Sequence, residues 1–393
     1  MKGLKKLLLK TDKPLLFITI IFFIFGLIMI FSASNITGII EFNNPYHFLF
    51  KQVIFLVVGL IFFIVLITVP TRNYKHFIGL FMIIVIVLLV GLLGYGVVTR
   101  STNRWYYFLG FSLQPSELAK VLVVIYMAMY YEKHIKKSLV SWFSLLKPII
   151  ITGIPFVLVI LQPDLGTAVI IGITIALIFV AIPIKTLKKR LTIFSLVSGI
   201  ILISLILFIG GDDRLANKVF TPTQIDRFSF QNPCDRYELP TGYQVCNSFI
   251  AFNQGGLLGK GLGNSTQKYM YLPEAYNDFI FPIIIEELGA IAGLIILIAY
   301  LFIIYRIIRI SRMASTLRGS LIAYGVAIYV LSHVFINFLG IMGLGPMTGV
   351  PIPFLSYGGS FTISLIIALA IVQRVQIETK ISEKKNLVKW WMV

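Results

Sequence analysis

The chain is 393 residues long, 58% hydrophobic and only 13% charged, with a formal net charge of +18. A soluble globular domain carries about 25% charged residues, so this chain lacks the polar surface that water requires, and a polytopic membrane protein is the class that remains. Two cysteines and four histidines are too few for a zinc or iron–sulfur framework.

The basic N-terminus MKGLKKLLLKTDKP runs into an apolar stretch at 15–31 that has no small-residue cleavage site, so it reads as a first membrane helix and not as a cleaved signal. Runs of roughly 20 mostly apolar residues then predict an all-α membrane domain of about ten spans. These are 15–34, 51–70, 77–98, 114–131, 144–162, 165–183, 191–209, 278–304, 319–342 and 355–373. One long connection, 210–277, lies between spans 7 and 8 and is rich in Gly, Asn, Tyr and Pro. Residues 1–393 read as a single domain, without a tandem repeat or a separate soluble part.

Lys and Arg orient the spans, because cytoplasmic loops carry the basic excess. With both termini inside, the inner segments hold Lys2 to Lys13, Arg72 and Lys75, Lys133 to Lys147, Lys185 to Arg190, Arg306 to Arg318, and Arg374 to Lys389, which is most of the basic residues. Of the acids only Asp12, Glu132, Glu378 and Glu383 fall inside. The charge is thus explained by topology and requires no nucleic acid. The remaining acids gather where chemistry on an extracytoplasmic substrate would occur.

Four stretches carry that chemistry. In TNRWYYFLGFSLQPSELAK (102–120), Arg104 and Trp105 stand at the outer interface, where Trp is also a plain membrane anchor. Gln114, Glu117 and Lys120 follow at helical spacing of three. Glu117 and Lys120 form either a structural intramembrane pair or the wall of a polar cavity. In LQPDLGTA (161–168), Pro163 and Gly166 make a turn and Asp164 reads first as a helix cap.

The third stretch runs from the glycines at 255, 256, 259, 261 and 263, past Lys260 and Lys268, to Glu274 and Asp278. Flexible glycine backbone approaches phosphates closely. Asp278 is either an N-cap, a role for which Asn277 competes, or a general base in a partly desolvated cleft. Glu286 and Glu287, about 12 Å further along the helix, require partners, and His333 or an arginine is expected. In the fourth stretch, GLGPMTGVPIPFLSYGGS (343–360), three prolines and five glycines exclude regular helix. Irregular backbone at membrane depth lines a cavity or is buried in protein, and Ser356 offers a hydroxyl there. Cys234 and Cys246 share the outer loop, either disulfide-bonded or as free thiols.

In order, FSAS (31–34), RW (104–105), QPSELAK (114–120), QPDLGTA (162–168), YLPE with DFIF (271–281), EELG (286–289) and TGVPIPFLSYGGS (348–360) resemble the SEDS family of shape, elongation, division and sporulation proteins, which includes FtsW and RodA. GNSTQKYMYLPE is similar to its division-type signature. The chain departs from the usual pattern at Tyr276, Asn277, Pro282 and Gly345. The resemblance implies a peptidoglycan glycosyltransferase in the bacterial cytoplasmic membrane that polymerises lipid II at the outer face. It implies Asp278 as the base for the acceptor GlcNAc 4-hydroxyl, with Arg104, Lys120 and Lys268 available to the pyrophosphate or to companion acids. Trp105, Gln114, Glu117, Glu274 and Ser356 complete the substrate-site expectations. A divalent cation, Mg or Mn, is expected at the leaving group, and no organic cofactor. A class B penicillin-binding protein and other divisome membrane proteins are the implied partners. The alternative readings are a lipid II flippase, which a polar cavity and a re-entrant segment fit equally well, and an elongation-type polymerase.

Overall fold

The computed structural model describes residues 2–99, 104–108, 111–135, 142–183, 199 and 232–391. The expected span 191–209 and the first part of the long connection, up to 231, fall outside the described residues apart from Gly199. The helices are α1 (Lys2–Leu8), α2 (Lys13–Phe42), α3 (His47–Thr68), α4 (Ile78–Thr99), α5 (Pro115–Ile135), α6 (Trp142–Leu161), α7 (Leu165–Ala181), α8 (Pro240–Gly255), α9 (Ile280–Met313), α10 (Leu317–Ile341) and α11 (Gly359–Trp391). A two-stranded antiparallel ribbon, Tyr106–Phe108 with Phe111–Leu113, precedes α5. Among the described residues, α2, α3, α6, α9, α10 and α11 contain stretches long and apolar enough to cross a membrane, and α4 and α7 contain shorter apolar ones. The protein is a multi-pass membrane protein.

Local chemistry sets the helix ends. Asp12 caps α2 by accepting from Leu15 N at 3.0 Å, with Pro14 in the first turn, where its missing N–H is no loss. Asn43 closes that helix in the left-handed region (φ 51°) and donates to Ile39 O at 3.0 Å, as a C-terminal cap does. Asp164 caps α7 through Thr167 N at 3.4 Å, and Thr316 caps α10 through Gly319 N at 3.1 Å.

Helices α10 and α11 form the buried centre, while α2, α3 and α4 turn large apolar residues such as Phe17, Phe50, Ile61 and Val87 outward. A helix apolar on its outer face belongs in a hydrocarbon environment. The long connection is not loop throughout. Helix α8 occupies 240–255 and packs on α9, and a disulfide between Cys234 and Cys246 ties its first half to the preceding turn.

Three of the four acids expected on the inner side bind arginines at one end of the bundle. Arg318, at the start of α10, pairs with Glu132 of α5 at 2.5 Å and donates to Thr71 Oγ1 at 2.9 Å. Glu378 of α11 accepts from Thr71 N and Oγ1 at 2.7 and 2.6 Å and from Arg374 at 3.1 Å. Arg374 also reaches Ile67 O of α3 at 2.9 Å, and Arg306 of α9 pairs with Asp12 at 2.5 Å. This latch joins α2, α3, α5, α9, α10 and α11 at their basic ends. Breaking a largely buried pair by removing one member costs about 3 kcal/mol. Arg318→Leu is therefore expected to lower the apparent melting temperature in detergent well below that of Arg312→Leu, a change at an exposed residue of the same end.

Candidate active site

Asp278 stands at the end of the bundle opposite the arginine latch. Its carbonyl accepts from Asn337, which is 19 positions beyond Arg318 on the unbroken α10, so at 1.5 Å per residue the aspartate is roughly 28 Å from that member of the latch. The expectation that Asp278 or Asn277 caps α9 is corrected: the helix begins at Ile280, and Phe279 holds the N-cap position without a side-chain bond. Asp278 is half-buried and lines a cleft of about 10 Å³ with Asn337, Gly340 and residues 347–350, room for one water or one hydroxyl.

The cleft is held from three sides. Asn337 of α10 donates to the carbonyls of Asp278 and Val350, both at 2.8 Å. Ser356 accepts from Ile352 N at 2.9 Å and donates to Asn277 O at 2.7 Å. It is fully buried, a strut beneath the aspartate. Tyr357 N donates to Tyr276 O at 2.9 Å. Gly349, at φ 68°, lies so close that a Cβ there would stand 3.1 Å from Asp278 Oδ2. Only glycine adopts that φ without strain while leaving the carboxylate in place.

Glu274 shapes the approach to Asp278. In the left-handed region (φ 54°), its carbonyl accepts from Asn277 N at 3.0 Å and Phe279 N at 3.4 Å, and its carboxylate accepts from the Asn277 amide. Desolvation by the surrounding protein raises its pKa above the ordinary carboxylate value, and the Asn277 hydrogen bond opposes that rise.

The 102–120 and 161–168 stretches meet. Gln114 donates to Asp164 Oδ2 at 2.9 Å, so Asp164 is both cap and link. Arg104 donates to Pro163 O, with Trp105 half-buried beside it. Gly166 lies against Thr348, whose carbonyl oxygen would be 2.9 Å from a Cβ at that position. The turn whose Pro163 carbonyl Arg104 binds thus packs beside Thr348 and Val350, which also line the Asp278 cleft.

Glu117 and Lys120 form a fully buried ion pair at 2.8 Å. Lys120 Nζ also lies 2.9 Å from His333 Nε2, and His333 Nδ1 lies 3.1 Å from Pro351 O. These contacts fit one tautomer: neutral His333 donates from Nδ1 to the carbonyl and accepts the lysine proton at Nε2. His333 is thus not the partner expected for Glu286 and Glu287. Those two, both fully buried, are satisfied by the glycine-rich segment. Glu286 pairs with Lys260 at 2.8 Å and accepts from Ser265 Oγ at 2.5 Å and Thr266 N at 2.9 Å. Glu287 pairs with Lys268 at 3.1 Å and accepts from Ser32 Oγ at 2.7 Å.

Helix α9 breaks at Gly289 (φ 86°), and there the backbones exchange partners. Lys260 N and Gly261 N donate to the carbonyls of Glu286 and Glu287, while Ala290 N and Ile291 N donate to Gly256 and Leu257. Lys268 and Lys120 are accordingly committed to carboxylates. Sequence reasoning missed Asn337, Ser32, Ser265 and Thr266. The FSAS motif and the two lysines eight apart were the available signals.

Among the described residues no three His, Cys, Asp or Glu side chains converge as a metal cage. The cleft offers a divalent cation one carboxylate, that of Asp278, short of a complete protein ligand set.

Fold and site define a multi-pass helical membrane protein with a carboxylate-bearing cleft opposite its basic end. The model of the FtsW, RodA and SpoVE family, described as "Cell cycle protein", matches residues 13–381. The "Probable peptidoglycan glycosyltransferase FtsW" of Bacillus subtilis (strain 168) is 34% identical over 390 residues, 98% of this chain and 94% of that protein. The protein of the same name from Francisella salina is 32% identical over 380 residues, 95% of this chain and 90% of that one. A solved structure described as a peptidoglycan synthase complex that coordinates polymerization and crosslinking contains a chain that matches with a TM-score of 0.71 at 22% identity. The match covers 94% of this chain and 98% of that one, which establishes the fold. The chain belongs to the FtsW/RodA/SpoVE family of cell cycle proteins.

The Glu117–Lys120 pair has a direct test. Lys120→Met leaves a carboxylate unpaired in the interior and is expected to cost about 3–5 kcal/mol, whereas the double change Glu117→Gln with Lys120→Met recovers most of it. Thermal unfolding of the wild type and the two variants in detergent measures the difference. Equal losses in the single and double variants would count against a pairing role.

Proposed function

We propose that this protein is a peptidoglycan glycosyltransferase that polymerises lipid II at the outer face of the bacterial cytoplasmic membrane, with Asp278 as general base. The observation that carries the reading is the position of Asp278: half-buried, just before the first turn of α9, in a cleft with room for one hydroxyl. The arginine latch lies at the opposite end of the bundle, the end that the positive-inside rule assigns to the cytoplasm. Sequence kinship with proteins named as peptidoglycan glycosyltransferases supports the reading.

In the proposed reaction the 4-hydroxyl of an acceptor GlcNAc enters the cleft and gives its proton to Asp278. Its oxygen attacks the anomeric carbon of the donor, and the bond from that carbon to the undecaprenyl pyrophosphate breaks. The pyrophosphate leaves with the electron pair, and a β-1,4 bond is formed. A positioned base contributes typically 10²–10⁴-fold. Gly349 and Asn337 set the carboxylate's position, Gly349 by leaving space and Asn337 by holding the backbone. Arg104, bound to the turn that packs beside Thr348 and Val350, is the cation we assign to the developing diphosphate charge. Lys120 and Lys268 act indirectly, by keeping Glu117 and Glu287 neutralised. Kinship with FtsW-named proteins favours cell division over elongation. The matching chain in a peptidoglycan synthase complex favours a crosslinking partner of the class B penicillin-binding type, with other divisome membrane proteins around it.

Asp278→Asn is expected to lower glycan polymerisation from lipid II, assayed with the cognate partner, by at least about 100-fold with little change in melting temperature. Gly349→Ala is expected to lower it in part, because the methyl group displaces the carboxylate. Normal polymer from the Asp278→Asn protein would refute the assignment. Transbilayer movement of labelled lipid II without polymer would instead support the flippase.

A further inference from the structure

At the latch end a second cavity, of about 330 Å³, opens between the start of α2, the last turns of α9 and the middle of α11. Its charged lining consists of Lys13, Arg306, Arg309 and Lys380 against the single carboxylate of Asp12. Asp12 is already bound to Arg306 at 2.5 Å and caps α2, so it does not neutralise the remaining cations. Lys380 donates to Thr11 O at 3.1 Å, while Lys13 and Arg309 are exposed. Gln376 adds an uncharged amide to this lining. The residue is 7% exposed and lines the cavity, with its amide open to that space and not sealed in protein. Here it faces a space ringed by cations.

We propose that this cavity binds a phosphate group, with the Gln376 amide and the Arg309 guanidinium donating to its oxygens and Lys13 and Lys380 supplying charge. The surroundings favour a phospholipid headgroup as the source. Phe17, 68% exposed, stands one turn into α2 from Lys13, and Tyr305, 57% exposed, stands one turn before Arg309 on α9. An acyl chain leaving the cavity along either helix meets apolar surface at once. Basic pockets between membrane helices on the cytoplasmic side bind such headgroups. The site lies at the far end of the molecule from Asp278, and nothing in the proposed polymerase chemistry accounts for it.

The test uses the full chain purified in detergent, with native mass spectrometry scoring retained phosphatidylglycerol against phosphatidylcholine. A parallel arm measures thermal stabilisation by inorganic phosphate. The wild type is expected to retain phosphatidylglycerol preferentially. Arg309→Gln and Lys13→Gln, changes at exposed positions that leave the fold intact, are each expected to weaken that retention about fivefold. Gln376→Leu should weaken it as well, while Arg312→Gln, exposed on the same helix end but outside the cavity lining, should not. Stabilisation by inorganic phosphate that is lost in the same variants would support the phosphate site with a soluble source. Retention unchanged in Arg309→Gln and Lys13→Gln, or lost equally in Arg312→Gln, would overturn the proposal.

Discussion

Charge in hydrocarbon must be matched, and this constraint organises the molecule. A lone ionised side chain at the centre of a membrane helix costs about 2.5–3.5 kcal/mol on insertion scales, and the fold meets that cost with specific pairs. Glu117 has Lys120, Glu286 has Lys260, Glu287 has Lys268, and at the basic end Asp12, Glu132 and Glu378 have Arg306, Arg318 and Arg374. Each pair other than Glu117–Lys120 and Arg374–Glu378 joins two different segments. The same bonds that neutralise the charges therefore fix which helices are neighbours.

The pairing also sorts the acids by role. Carboxylates deep in the bundle are consumed by structure. Asp278 differs in being half-buried, outside any helix, and set against backbone that carries no side chain at 349. Its surroundings are built from the irregular 343–358 segment, whose Pro351 and Val350 carbonyls are met by His333 and Asn337 and whose Ile352 N–H is met by Ser356. Non-helical backbone at membrane depth is tolerated where protein satisfies it, and those side chains do so here.

The apolar runs located helices α2, α3, α4, α6, α7, α9, α10 and α11, because length and hydropathy mark them; the structure moves their ends by a few residues, and further where α2, α9 and α11 continue beyond the apolar core. The ordered motifs likewise marked Asp278, Gln114 and the turn at Pro163 as positions of interest. What sequence could not show was who meets whom. His333 looked like a partner for Glu286 because both are buried polar groups on late spans, but helix packing turns it toward Lys120. The lysines that serve Glu286 and Glu287 come from a glycine-rich segment that looked like a phosphate loop. The composition is the same in either role, and only the tertiary path distinguishes them. The cysteine pair was equally open until the turn before α8 brought the two sulfurs together.

The break at Gly289 has a practical consequence. Four main-chain bonds cross between the glycine-rich hook and the two halves of α9, so the hook is clamped by peptide groups and does not depend on its own apolar side chains. Leu258 projects outward from it, 80% exposed. That residue is a natural attachment point for a fluorophore or spin label, on rigid backbone at the rim that faces away from the cytosol in the proposed orientation, from which movement of neighbouring segments could be followed without disturbing the carboxylates beneath.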